Sequence, residues 1–193
     1  MKQVIFCGLM ICLFSTCANA VSYDGKWWND LPRDERLAFT AGYFDCAVYD
    51  AGQDNMGDIS WYQIESEVTR FYNENTPELE KTVIVVIRQL YATGKLKHRK
   101  PDYTGEYYPE KHGIFDGEYW RQLHFENVLL RFIEGYLVCQ REFKKPEASF
   151  SREAKWYVKQ ISEWYGVRSD DPGKINEERY QDKIADVLYR LKD

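Results

Sequence analysis

Apolar side chains recur at helical spacing along most of the chain. Phe39, Gly42, Tyr43 and Cys46 fall at i, i+3, i+4 and i+7, one face of a helix, and Phe132, Gly135, Tyr136 and Cys139 repeat that face. Pro32 suits the first position of the earlier helix, and Asp34 and Glu35 favour its positive N-terminal dipole. A second stripe runs through Ile64, Val68, Phe71 and Tyr72, opened by Ser60 and Gln63 in a capping-box spacing. Its match spans 151–165 and stops at Gly166, a good helix end. A third helix opens at Thr76-Pro77-Glu78, continues through Val83, Ile84, Ile87 and Leu90, and precedes Gly94. Its counterpart runs from Ile175 to Leu191, with Tyr180, Ile184, Val187 and Leu188 apolar. The β-branched run Thr82–Ile87 would suit a strand, but its start signal and the lack of other strand-like segments favour helix. The pattern therefore predicts an all-α fold.

The stripes come in duplicate. Asp24-Gly25, Trp28 and Leu31 match Asp116-Gly117, Trp120 and Leu123 at an offset of 92, and Phe39, Gly42, Tyr43 and Cys46 match their partners at 93. We read two tandem three-helix repeats, 21–94 and 116–193, packed about a pseudo-two-fold axis, with a connector over 95–115. Glycine inside a helix costs about 1 kcal/mol relative to alanine, so Gly42 and Gly135 imply a close helix approach. Equivalent positions near such an axis meet, which would set Cys46 against Cys139 as a disulfide. The rival reading leaves each cysteine reduced within its own unit.

The first 20 residues read as a removable leader: Lys2, an apolar run from Val4 to Phe14, then Ala18-Asn19-Ala20 with small residues where signal peptidase needs them. The run is about 11 residues, too short to span a bilayer as a helix. An uncleaved anchor and lipidation at Cys17 are the alternatives. Cleavage near Ala20 predicts a periplasmic or secreted protein with no membrane span. Cys7, Cys12 and Cys17 leave with the leader, so Cys46 and Cys139 remain as an even pair in an oxidising compartment. At 44% hydrophobic and 30% charged the composition is neither disordered nor that of a membrane protein. A net charge of −5 without a long basic stripe argues against nucleic acid as partner.

Candidate chemistry is sparse. His98, His112 and His124 have no metal-ligand spacing, and no metal or cofactor is expected. Asp54, Asp58 and Glu65 fit positions of a calcium loop, but Met56 and Ile59 stand where Asp or Asn and Gly are needed. Nucleophile-elbow, phosphate-loop and dinucleotide motifs are missing. Asp24 and Asp116 could form a symmetric carboxylate pair, but Asp-Gly is first a turn signal; Trp27, Trp28, Tyr119 and Trp120 then pack over the helix ends as lids. Asp45 and Glu134 read as solvated or, at most, as part of an interaction face. The connector carries Tyr103, Tyr107 and Tyr108, and aromatics commonly anchor interfaces, so these are the interaction candidates.

One unit shows a helix with Gly42-Tyr43 and Asp50-Ala51, a short loop, the Ile-Val-Phe-Tyr stripe, then Asn75-x-Pro77-Glu78. This order resembles the small all-helical periplasmic immunity proteins of the Tai type, which neutralise amidase toxins delivered by type VI secretion. The likeness covers 36–92 and, more loosely, 129–190. That family's units generally carry more cysteines and stand one per chain, so the tandem copy is a departure. The resemblance implies a helical toxin-binding protein with a built-in analogue of a dimer, and nominates no active site. The expected function is that of an exported, non-enzymatic binding protein, an immunity or inhibitor protein by this likeness, whose partner is a secreted toxin or an envelope protein. The alternatives are a periplasmic accessory or chaperone-like envelope factor, and a hydrolase with its site between the repeats.

Overall fold

A computed structural model describes residues 22–49, 59–96, 115–123, 125–143, 150–167 and 177–192. The fold is all-α. In chain order the helices are α1 (Gly25–Asp30), α2 (Arg33–Tyr49), α3 (Trp61–Glu74), α4 (Val83–Ala92), α5 (Gly117–Gln122), α6 (Glu126–Phe143), α7 (Ala154–Tyr165) and α8 (Ile184–Arg190). A 3-10 turn precedes α4 at Thr76–Glu78 and another precedes α8 at Glu177–Gln181. No described helix is long and apolar enough to cross a membrane.

The long helices α2 and α6 make the most extensive contact, and the shorter helices pack around them. Glycine explains how closely they pass. A Cβ on Gly42 would lie 1.9 Å from the Phe132 carbonyl oxygen, and one on Gly135 would lie 2.0 Å from the Phe39 carbonyl oxygen. Backbone meets backbone at both points, with no flexible side chain to yield. One turn further along, Cys46 and Cys139 are joined as a disulfide with a Cα separation of 6.0 Å, both side chains buried. In the chain-entropy account, closing so long a loop is worth about 4–5 kcal/mol. Beside this seam the Tyr43 hydroxyl donates to Glu142 Oε2 (3.2 Å), and Glu142 also pairs with Arg88 of α4.

Each half opens with a capped helical turn rather than the expected Asp-Gly turn. Asp24 Oδ1 accepts from the backbone N–H groups of Lys26 and Trp27 at 3.0 Å, and Asp116 Oδ1 accepts from that of Tyr119 at 3.0 Å. The next residue is glycine because an aromatic ring fills the space: a Cβ at Gly25 would sit 2.5 Å from Tyr72 Cδ1, and at Gly117 2.6 Å from Tyr165 Cδ1. Trp28 and Trp120 are plugs rather than lids, fully buried and tied by their indole N–H to Thr69 Oγ1 (3.0 Å) and Ser162 Oγ (3.2 Å). Trp27 and Tyr119, half-buried, lie over Phe39 and Phe132.

Among the described residues each half thus holds four α-helices and a 3-10 turn, not three helices. The third helix starts later than the sequence predicts. Thr76-Pro77-Glu78 gives one 3-10 turn, and α4 begins only at Val83. Tertiary hydrogen bonds override the local start signal. Leu79 O accepts from Gly25 N (2.9 Å), Lys81 O from the Tyr72 hydroxyl (2.8 Å), and Val83 N donates to Tyr23 O (2.7 Å). The intervening chain is drawn into an isolated antiparallel bridge, Asp24 to Thr82. In the second half the Tyr165 hydroxyl donates to Asp182 O (2.8 Å), Ile184 N to Phe115 O (2.8 Å), and Asp116 bridges to Lys183. The predicted helix 175–191 is therefore shortened to α8, and Ile175 lies outside the described residues. Pro32 stands just before α2 rather than inside it, its carbonyl accepting from Arg36 N (3.1 Å). Ser60 does cap α3, accepting from Tyr62 N (3.2 Å), and Gly166 ends α7 with φ 69°.

Candidate functional site

The residues singled out from the sequence form scaffold rather than a reactive centre. Asp24 spends its carboxylate on the first turn of α1, and the Trp27 N–H it accepts holds its pKa below the ordinary value. Asp116 does the same work for α5. Gly42, Gly135 and the Cys46–Cys139 bridge line the α2–α6 seam. Tyr103, Tyr107, Tyr108 and the three histidines lie outside the described residues, as do Asp54 and Asp58. Glu65, the last member of the calcium-loop count, is buried and paired with Arg36 (3.0 Å). Among the described residues no group of three or more His, Cys, Asp or Glu side chains is placed to hold a metal ion.

Asp45 and Glu134 require correction, because neither is a solvated surface acid. Asp45 is 3% exposed. Glu134 lies with Glu35 on either side of one guanidinium: Arg131 Nε donates to Glu35 Oε2 (2.9 Å) and Arg131 Nη1 to Glu134 Oε2 (2.7 Å). The Arg131 guanidinium also sits 5.7 Å from the Trp27 ring centroid. The helix period puts Arg131 and Glu134 one turn apart on α6, and the close approach of α2 brings Glu35 to them. Two carboxylates share one cation, and burial pushes the Glu134 carboxyl above its ordinary value against the pull of Arg131. The cluster locks α2 to α6 under an aromatic cover.

The open feature is a groove of about 810 Å³ between the start of α6 and α7. Val158 and Ser162 face it from α7, with Gly166 and Val167 at its end, Trp156 at one side and Glu126 opposite. Trp156, which lines it, is 36% exposed, and Phe125, the residue before Glu126, is 69% exposed. Trp156 lies off the buried stripe of its helix, since α7 turns Tyr157, Val158, Ile161 and Tyr165 inward. That misplacement is the sequence signal that could have found the groove.

Position-by-position comparison shows how the two halves differ here. At the places 93 residues earlier, Arg36 Nε reaches Glu65 Oε1 (3.0 Å), Arg33 Nε stands 3.7 Å from Glu65 Oε2, and Thr69 Oγ1 donates to Glu65 Oε1 (3.1 Å). The second half has Glu126 for Arg33, Leu129 for Arg36 and Val158 for Glu65, so the Arg36–Glu65 pair has no equivalent there. Pro32 and Gln63 stand where Phe125 and Trp156 do. Where the first half carries an ion pair the second carries leucine and valine, beside a groove that exposes Trp156, and such a surface can take an apolar side chain from outside. Comparison with family models, with curated proteins and with solved structures finds no match to this chain.

Proposed function

We propose that this chain is an exported, non-enzymatic helical protein that acts by binding another protein, with the groove beside α7 as its docking surface. The observation that carries the reading is the groove itself, which exposes Trp156 beside Val158 and Val167, with Phe125 exposed next to the lining residue Glu126. At the seam both carboxylates, Glu35 and Glu134, are engaged by the single guanidinium of Arg131, a structural use of these charges. The resemblance to Tai-type proteins supports the role of an immunity or inhibitor protein, and the leader-like first 20 residues support a periplasmic or secreted location. The paired caps, plugs and bridges at Asp24 and Asp116, Trp28 and Trp120, and Tyr72 and Tyr165 support a tandem duplication about a pseudo-two-fold axis.

The test is photo-crosslinking in cells from benzoylphenylalanine placed at position 156, with the same probe at exposed Lys26 as control. The expected result is a protein adduct from position 156 that is missing from position 26. Labelling of neither position above background would overturn the docking surface.

A further inference from the structure

We propose that the occupant of the groove is a second copy of this chain, in a two-fold dimer in which Phe125 of each copy enters the groove of the other. The inference rests on the reading of the groove as a protein-docking surface and names what fills it.

A two-fold interface must be self-complementary, with each contact made twice in exchanged roles. An exposed phenyl group, Phe125, precedes Glu126 of the groove's lining, and the groove's volume of about 810 Å³ accommodates a phenylalanine side chain. Gly166 and Ser162 keep the floor shallow in side-chain bulk where a ring would lie.

The charges around the groove also complement themselves. Its lining mixes Lys155 and Lys159 with Glu126, Glu153 and Glu163. Lys159 lies 3.8 Å from Glu163, which also accepts from Gln160 (3.0 Å). Lys155 and Glu153 enter no ion pair among the described residues, and both are exposed. A rim of one sign would call for a partner of the other sign. A rim that leaves one cation and one anion uncommitted, two residues apart, is matched by its own copy turned through 180°, Lys155 against Glu153 and Glu153 against Lys155. A two-fold contact of this kind uses the same face of both copies, so association stops at two.

Sedimentation equilibrium of the oxidised mature protein over a dilution series tests this. The expected result is a reversible monomer–dimer equilibrium, with Phe125→Asp weakening it at least about tenfold. Lys155→Glu and Glu153→Lys should each weaken it alone, and mixing the two variants should restore association as a heterodimer. A mere change in fold or solubility would not produce that rescue. A monomer at every concentration, or a dimer indifferent to Phe125→Asp and to the charge reversals, overturns the proposal. The crosslink at position 156 separates the two claims. An adduct with a different protein leaves the docking surface standing and removes the second copy as its occupant; an adduct of twice the chain's mass supports both.

Discussion

The two halves of the molecule share their frame and differ in what fills it. In both, an aspartate caps a short helix, a tryptophan plugs the core through an indole hydrogen bond, a tyrosine hydroxyl pins the chain before the last helix, and a glycine lets the long helix touch its opposite number. Between the long helix and the next one they part: the first half carries the Arg36–Glu65 ion pair, while the second has Leu129 and Val158 at the matching positions and a groove beside α7. The lesson concerns which contacts set a fold. Caps, plugs and backbone approaches recur because each satisfies a group that has no other partner. The ion pair does not recur, in keeping with how readily a buried pair is exchanged for apolar residues at little net cost.

The sharpest way to break the comparison is to attack the shared frame. Gly42→Ala and Gly135→Ala each drive a methyl group into a backbone carbonyl, at 1.9 and 2.0 Å, and the long helices must separate to relieve it. We expect each substitution to cost about 3 kcal/mol, the upper end for overpacking, because only backbone can give way. Urea denaturation of the two variants should return equal losses. A cost below about 1 kcal/mol at either glycine would mean that the seam is looser than the geometry described above, and unequal costs would make the halves unlike at their most alike point.

The next test exchanges the filling. Glu65→Val installs the residue found 93 positions later, and it strands Arg36, whose guanidinium is largely covered and lies 5.9 Å from the Trp28 ring. The expected loss is about 2 kcal/mol. Adding Arg36→Leu, the other residue of the second half, should recover most of that loss, so that the double variant stands within about 1 kcal/mol of the parent. A double-mutant cycle with no coupling would show that Arg36 and Glu65 do not stabilise one another.

How much of this could be read from the sequence depended on the range of the forces involved. The core stripes, the Ser60 cap, the Gly166 stop and the helical character of Val83–Ile87 follow from periodicity and local capping, and the structure places them as read. The Gly42–Gly135 contact and the Cys46–Cys139 bridge were legible because two copies of one pattern can be superposed in thought. The late start of α4 was not legible, because hydrogen bonds from Tyr23 and Tyr72 impose it over a sequence that begins a helix well at Thr76. The burial of Asp45 and Glu134 was hidden for a related reason. An acid beside an apolar stripe looks solvated until a second helix is laid over it, and Arg131, the cation that stabilises Glu134, gave no sign of being near Glu35. The groove was missed because its one sequence signal, Trp156 set off the buried stripe of α7, is faint beside the many aromatics that pack the core.

The smallest effect expected is also the most specific to one half. Glu134 has Ala41 as its counterpart 93 positions earlier, so only one side of the seam carries the carboxylate. Burial raises its pKa in the folded protein, whereas in the unfolded chain it titrates near the ordinary value of about 4.3. The native state therefore binds the proton first as pH falls. Above the folded pKa the buried charge is a cost to the native state; that cost declines through the window between the two values and is gone below about 4.3. Stability from this group thus falls as pH rises through the folded pKa. Asp24 acts in the opposite sense and lower: its pKa is depressed, so its contribution is present above about 3.9 and lost as the solution becomes more acid. Glu134→Gln keeps an acceptor for Arg131 and removes the titration. We expect it to change stability by about 1 kcal/mol or less at neutral pH, because Glu35 still balances Arg131. It should also remove the decline in stability as pH rises above the ordinary carboxylate value, while leaving the acid limb, to which Asp24 contributes, in place. Stability curves of the parent and variant that run parallel across that window would mean that Glu134 is no more buried than an ordinary surface acid, and the asymmetry of the seam would vanish with it.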